Sequence, residues 1–495
     1  MKLYFKGHDY KYAVEQMLLT MFPEERPEYP EGKPSGDRLE ISLSRGQSHT
    51  TAVCTLHRAG QVCRGRAAAT ISGGLDALEV DRVQQRLVKN AIYRAALKSG
   101  VPRPAWGALT GVRPGKLLAG LLTQGLSEQQ ALKAFIRDYD VSPARASLCL
   151  DTSRETLKAM AALELRDVCL YVGIPFCPTR CAYCSFVSQS VEKSMKLIAP
   201  FHQALHQEIL ATAEQVKALG LRVVSVYMGG GTPTTLSALQ LDELCTWLAE
   251  SFDLSNLREY TVEAGRPDTI TEEKLQVLRR HGVDRLSVNP QTMDDAVLAA
   301  IGRKHTAADI VSALETVRRV GGFAVNMDLI AGLPGDTPAQ FEDTLEKVLA
   351  LSPENITVHT LSLKKGSRIT LEGAAIPGAA EVSAMLDLAG QRLRSAGYGP
   401  YYLYRQKFMS GGFENVGWAR PGFENLYNIC IMEELCSIIA MGGGGSTKLI
   451  RPDRGRNIRL MAPKYPLEYI ENIDRTCADK NTIGDFYKEF MIQED

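Results

Sequence analysis

The chain has 495 residues, 45% apolar and 23% charged, with 57 Lys+Arg balanced by 57 Asp+Glu. That length exceeds one hydrophobic core, so two or three domains are expected, and the ordinary composition is that of a soluble globular protein. The balanced charge argues against a nucleic-acid partner recognised through overall charge.

The N-terminal stretch MKLYFKGHDYKY lacks the apolar core of a signal peptide. No apolar run reaches the ~18 residues of a membrane span. With eleven cysteines, an odd number, reduced thiols and a cytoplasmic location are expected.

Residues 1–85 read as a small α+β module. A helix is predicted near 12–22, then polar Pro- and Gly-containing sequence over 27–37, then strands at 38–44 (RLEISLS) and 51–60 (TAVCTLHRAG). Residues 86–165 read as a helical segment. VQQRLVKNAIYRAALKSG ends in a glycine stop, and SEQQALKAFIRDYD and SRETLKAMAALEL follow.

From 166 to 400 a short apolar strand is followed by a helix six times. The strands are 168–174, 223–230, 259–265, 285–290, 325–332 and 355–363; the helices lie near 195–219, 237–251, 271–281, 307–320, 338–351 and 380–396. Runs apolar on both faces suit a parallel sheet covered by helices. The fold class is therefore α/β, and six units fit a partial (β/α)6 barrel better than an open two-sided sheet. Function is then expected at the strand C-terminal ends. Residues 401–495 are Gly- and Tyr-rich, with a near-repeat GGFENVGWARPGFENLYN (411–428), a helical IMEELCSIIA, GGGG (442–445) and a polar, helix-containing tail. This region is expected to fold back over the barrel and cover the substrate.

Eight cysteines (Cys54, Cys63, Cys149, Cys169, Cys245, Cys430, Cys436, Cys477) are scattered and read as small buried hydrophobes. Cys177, Cys181 and Cys184 differ: they form C-x3-C-x2-C in the loop after the first strand of the series. A structural zinc site wants four ligands, and no second pair lies nearby. Three thiolates on an iron–sulfur cube leave one iron open, and an open coordination position marks chemistry rather than scaffolding.

GGGTPT (229–234) ends the second strand. Its glycines permit close backbone approach to a ligand, and no Lys-Ser/Thr follows to make a phosphate loop. Gly230, Gly231 and Thr232 are the candidates there. Glu263, Gln291, Arg303 and Asp328 fall at or near later strand ends. Each alone is ordinarily a structural or solvated polar residue. Together at one rim, the arginine suits a carboxylate and the acids suit ribose hydroxyls. Gly332 and Pro334 would turn the chain after strand five.

The cysteine loop, with Tyr183 before the third cysteine and a strand before it, resembles the radical S-adenosylmethionine superfamily. YVGIPFC, GGGTPT, VNPQTM, IGRKHT, MDLIAGLPGDT and ARPGFENLYN resemble, more closely, the oxygen-independent coproporphyrinogen III oxidase (coproporphyrinogen dehydrogenase) family over about 167–450. The long N-terminal extension suggests its HemZ-like branch. The resemblance implies a [4Fe–4S] cluster on Cys177, Cys181 and Cys184, its open iron chelating S-adenosylmethionine. It places Tyr171 against the sulfonium end of that cofactor, where it is the catalytic candidate. The glycine loop would pair with the methionine amino group; Glu263, Gln291, Arg303 and Asp328 would hold methionine and ribose groups. The implied reaction is oxidative decarboxylation of two propionates of coproporphyrinogen III to vinyls, giving protoporphyrinogen IX. The implied partners are that or a related tetrapyrrole and a flavodoxin- or ferredoxin-type electron donor.

Two positions depart from the family oxidases. Phe186 stands where a fourth cysteine is frequent, and Gly173 where histidine is common. Phe186 is shared with the haem-chaperone branch, so a haem carrier is the alternative, and a radical enzyme on another substrate such as RNA is a third reading. Arg405, Lys407, Arg420 and Lys448 are candidates to meet substrate carboxylates, and Tyr401, Tyr402, Tyr404, Phe413 and Trp418 to stack on a tetrapyrrole. Thr235 and His305 are assigned no role beyond general lining.

Overall fold

The computed structural model describes residues 1–46, 49–71, 74–179, 181–184, 189–190, 194–362, 375–405, 412–451 and 457–491. Its contacts divide into two compact units, Met1–Leu150 with Gly411–Phe413, and Asp151–Ser410 with Glu414–Asp495. The sequence reading set divisions at 85, 165 and 400 instead.

In the first unit, β1 (Lys2–Lys6), β2 (Arg38–Arg45), β3 (His49–Arg58) and β4 (Gln61–Thr70) form one sheet in that order, with β1 parallel to β2. Alternation sends Leu39, Ile41 and Leu43 of β2 and Ala52, Cys54 and Leu56 of β3 to one buried face. The helices Lys11–Met21 and Ala77–Lys98 supply Val14, Met17, Leu18, Leu87, Val88 and Ile92 to the same core. The longer helix starts at a capping box, Asp76 with Glu79. The sequence reading missed β4, because QVCRGRAAAT carries little β propensity. Packing forms it: a Cβ at Gly65 would lie 2.0 Å from the Ala91 carbonyl oxygen, so this strand lies directly against the helix.

In the second unit the predicted six-fold series is present. The strands are β5 (Asp167–Ile174), β8 (Arg222–Gly230), β9 (Glu259–Val262), β10 (Arg285–Ser287), β11 (Ala324–Ala331) and β12 (Asn355–Thr360). They lie in the order β12-β11-β10-β9-β8-β5, all parallel, and β5 does not pair with β12. Helices Ile198–Ala218, Ala238–Ser251, Glu272–Arg280, Ala307–Val320, Pro338–Ala350 and Ala379–Ser395 follow the strands in turn. The result is a partial (β/α)6 barrel. A two-residue ladder between β6 (Phe176–Cys177) and β7 (Gln189–Ser190) flanks the cysteine loop.

The C-terminal region extends the sheet at both edges. β13 (Gly399–Arg405) and β14 (Glu414–Ala419) add antiparallel strands beyond β12. β15 (Ser437–Gly442) pairs in parallel with β5, and β16 (Ser446–Leu449) and β17 (Ile458–Met461) continue from it. The predicted helix over IMEELCSIIA is corrected here. The helix is Leu426–Glu433, and Ser437–Gly442 is a strand whose Ile438 and Ile439 are fully buried beside β5. Sheet pairing overrides a local helical pattern too short to stand alone.

A buried charge anchors this edge. Glu208, fully buried on the Ile198–Ala218 helix, lies 2.7 Å from Lys480 Nζ and accepts from the Gly442 amide at 2.7 Å and from the Tyr469 hydroxyl. Lys480 also donates to the Ala440 carbonyl at 2.6 Å. Among the described residues no helix is long and apolar enough to cross a membrane. Glu208→Ala is expected to destabilise this unit by about 3–5 kcal/mol in denaturant unfolding, because Lys480 is left buried without its counter-charge. Adding Lys480→Met should recover part of the loss; a single variant of wild-type stability would show that the pair is hydrated.

Candidate functional site

Strand alternation builds the site. In β11, Val325, Met327 and Leu329 turn outward into the core, while Asn326, Asp328 and Ile330 turn inward. With Tyr171, Tyr227, Glu263, Asn289, Gln291, Thr357 and His359 they line a cavity of about 640 Å³ inside the partial barrel. The same cavity is lined by Cys177, Cys181 and Cys184, by Gly230, Gly231 and Thr232, and by Arg303. Every residue named from the sequence as a cluster or cofactor candidate therefore lines this one cavity.

The cysteine loop is held by backbone and packing. The Ala182 amide donates to the Ile301 carbonyl at 2.9 Å, and Ala182 is buried among Val297, Leu298, Ile301, Ile330, Leu333 and Leu361. The glycine loop is joined to the start of the same segment. The Gly231 amide donates to the Ile174 carbonyl at 2.8 Å and the Thr232 amide to the Phe176 carbonyl at 2.7 Å. A Cβ at Gly231 would lie 2.4 Å from the Phe176 oxygen, so no side chain fits. Gly230 has φ +100°, and Thr232 Oγ1 lies 3.5 Å from Cys177 Sγ.

Two arginines stand beside the thiols. Arg266 Nη1 is 3.0 Å from Thr179 Oγ1 and 4.0 Å from Cys181 Sγ. Arg303 is buried, donating to the Asn289 carbonyl and the Tyr183 hydroxyl, each at 2.9 Å. Three thiols under two guanidiniums, with no further cysteine before Cys245, suit a cluster that needs thiolates and leaves one iron without a protein sulfur.

The acids are set differently. Burial above all pushes Glu263 up to about 7, with the Asp328 charge adding and the Tyr227 hydroxyl at 2.5 Å opposing. Burial acts in the same direction on Asp328. His359, Asn326 at 2.7 Å and Thr357 outweigh it, so Asp328 lies below the ordinary carboxylate range. Gln291 adopts φ +70°, in the left-handed region, and its backbone brackets β11: its amide donates to the Asp328 carbonyl at 2.9 Å and its carbonyl accepts from the Ile330 amide at 3.0 Å.

Tyr171 belongs to a stack. Tyr227 and Tyr427 are parallel to it at 6.3 and 6.2 Å, and to each other at 4.3 Å. Tyr427 is fixed from below, because its amide and that of Leu426 donate to the buried Glu259 at 2.9 and 2.8 Å.

The substrate-facing candidates divide. Tyr402 and Tyr404 line the cavity; Tyr401, Phe413 and Trp418 do not. Lys448 is buried in an ion pair with Glu434, Arg405 is buried, and Arg420 lies over the Tyr398 ring; none of the three lines the cavity. Lys407 and Phe186 lie outside the described residues. Thr235 and His305 do not line the cavity either. Sequence reasoning missed Tyr227, Arg266, Asn289, His359, Tyr427 and Lys464, all of which do. Counting back two residues from Gly229 and from Gln291 reaches Tyr227 and Asn289, a usable signal for those two; Tyr427 and Lys464 had none.

The Radical SAM superfamily matches residues 171–348. Over 380 residues the chain is 42% identical to the oxygen-independent coproporphyrinogen-III oxidase-like protein HemZ of Bacillus subtilis (strain 168), covering 76% of each chain. The chain belongs to this family of radical S-adenosylmethionine proteins. It is 35% identical over 192 residues to the heme chaperone HemW of the same organism, covering 39% of this chain and 49% of that one. Among solved structures it is similar to coproporphyrinogen III oxidase (HemN) from Escherichia coli, with a TM-score of 0.53 and 25% identity, covering 65% of this chain and 72% of that one. A [4Fe–4S] cluster and S-adenosylmethionine are accordingly its cofactors.

As a proposed contact of S-adenosylmethionine, Glu263, raised to about 7, offers full charge to a cationic ligand group only when ionised. Affinity for S-adenosylmethionine is therefore expected to fall about tenfold per pH unit as pH drops below about 7, where the raised acid takes up a proton. Glu263→Gln should flatten this dependence in equilibrium binding from about pH 7.5 to 6. An unchanged slope in that variant would remove Glu263 from the cofactor site.

Proposed function

We propose that this protein is a cytosolic radical S-adenosylmethionine enzyme that oxidatively decarboxylates two propionates of coproporphyrinogen III, or of a closely related tetrapyrrole. The observation that carries the reading is the continuity of one cavity. Cys177, Cys181 and Cys184, the acids Glu263 and Asp328, and the apolar and aromatic Tyr402, Tyr404, Ile431 and Met432 all line it. Family membership supports the same reading.

In this proposal Cys177, Cys181 and Cys184 are the iron ligands. Arg266 and Arg303 offset their negative charge. The backbone at Gly230–Thr232 receives the methionine end of the cofactor, and Glu263, Gln291, Arg303 and Asp328 hold its remaining polar groups. When bound, the cluster and S-adenosylmethionine supply one-electron chemistry that removes a hydrogen atom. Tyr171 closes the cavity wall beside the reacting centre, and its phenol stays protonated because burial raises it. The Tyr171–Tyr227–Tyr427 stack keeps water from that wall. For each propionate, the β-carbon loses a hydrogen atom to that one-electron chemistry, CO2 leaves, the electron left behind passes to an external one-electron acceptor, and a vinyl group remains. The electron that starts each turn comes from a reduced flavodoxin- or ferredoxin-type donor.

Haem carriage is the second reading. The likeness to a heme chaperone favours it, and so does the cation inventory. Among the described residues, the lysines and arginines lining the cavity are Arg266, Arg303 and Lys464, and both arginines stand beside the cysteine loop. Among the described residues, a tetracarboxylate substrate would meet Lys464 as the one lysine or arginine beyond them.

Anaerobic, reduced protein with S-adenosylmethionine and coproporphyrinogen III is expected to release CO2 and 5′-deoxyadenosine in step with vinyl formation. Tight haem binding without turnover would replace the enzyme by the carrier. Cys181→Ala should lose the cluster's iron and its visible absorbance; full iron content in that variant would refute the ligand assignment.

A further inference from the structure

Three of the eight cysteines that the sequence leaves scattered come together in the fold. Cys169 lies on β5, Cys430 on the Leu426–Glu433 helix, and Cys436 just before β15. Their sulfurs all lie within 4.8 Å of one another, and Cys169 Sγ to Cys436 Sγ is 3.6 Å. All three are free thiols, with 0%, 0% and 7% of their surface exposed. Val224, Tyr427 and Ile438 enclose them.

The spacing is that of ligands on one metal atom. A tetrahedral or trigonal ion with metal–sulfur bonds of about 2.3 Å holds its sulfurs roughly 3.8–4.0 Å apart. Among the described residues Cys177, Cys181 and Cys184 form no such close group. That contrast is the one expected between thiolates on a single ion and thiolates on separate irons of a cube.

We propose that Cys169, Cys430 and Cys436 bind a single thiophilic, closed-shell cation, Zn2+ or Cu+, at a site distinct from the cluster. Thiolate ligands select such soft ions, and the dry apolar surroundings strengthen each charge contact. The thiols release their protons to solvent as the ion enters. Among the described residues no fourth metal-ligating group joins the three, which favours three-coordinate Cu+ over four-coordinate Zn2+. The ion staples β5 to β15 and to the helix carrying Tyr427. Cys169 is two residues before Tyr171 on one strand and so shares its face; the ion would therefore sit beneath the tyrosine stack.

The test uses full-length, cluster-loaded protein prepared without oxygen and dialysed in separate arms against Zn2+ alone and Cu+ alone. One equivalent of one of these ions should be retained beyond the cluster iron, with three sulfur neighbours in X-ray absorption at that metal's edge. Cys430→Ser and Cys436→Ser should weaken retention at least a hundredfold and leave the iron content unchanged, while Cys63→Ser should retain the ion. Retention of neither ion, fewer than three sulfur neighbours in the wild-type protein, or equal retention by the Cys430 and Cys436 variants would overturn the proposal. The sulfur count in the wild-type protein decides the matter even if both variants fail to fold.

Discussion

The site depends on a pair of backbone hydrogen bonds that join two loops from neighbouring strands. The amides of Gly231 and Thr232 meet the carbonyls of Ile174 and Phe176 at 2.8 and 2.7 Å. They continue the β5–β8 register, which pairs Ile174 with Gly230, past the end of the strands. The segment that enters the cysteine loop is thereby fixed against the glycine loop. Only glycine fits at 231, because a Cβ would overlap the carbonyl it faces. A ligand spanning the two loops thus meets a surface already ordered, and little ordering entropy remains to oppose binding.

A second constraint comes from the other edge of β5. β15 runs parallel to it, pairing Gly442 with Gly173. A Cβ at Gly442 would lie 2.2 Å from the Gly173 oxygen, and one at Gly173 2.8 Å from the Gly443 oxygen. This close approach explains why glycine stands where the resembled oxidases commonly carry histidine: an imidazole there would push the strands apart. Glu208, reaching the Gly442 amide from the neighbouring helix, holds that contact in place. The departure in sequence is thus matched to packing at the sheet edge.

Much of this was legible from the chain. The six strand–helix pairs were readable because their apolar runs are short, regular and ended by turn residues. The cysteine spacing and the glycine loop were readable because each imposes its geometry within a few residues. Less visible was whatever depends on partners distant in sequence. Tyr427 joins the tyrosine stack only because Glu259, on β9, captures the amides that open its helix. The strand character of Ser437–Gly442 arises from β5, more than 260 residues away. Lys448 and Arg405 looked like substrate ligands as isolated cations, but burial turns them away from the cavity.

The sequence by itself determined the kind of chemistry. Thiol spacing and glycine placement are local properties, carried by the eight residues Cys177 to Cys184 and by GGGTPT at 229–234 whatever surrounds them. Only the tertiary structure decided which remote residues share the cavity. It also decided that three other cysteines converge beneath it. The physical reason is that pairing across a sheet and packing on its face are set by the whole set of strands at once, and no short window of sequence contains both sides of those contacts.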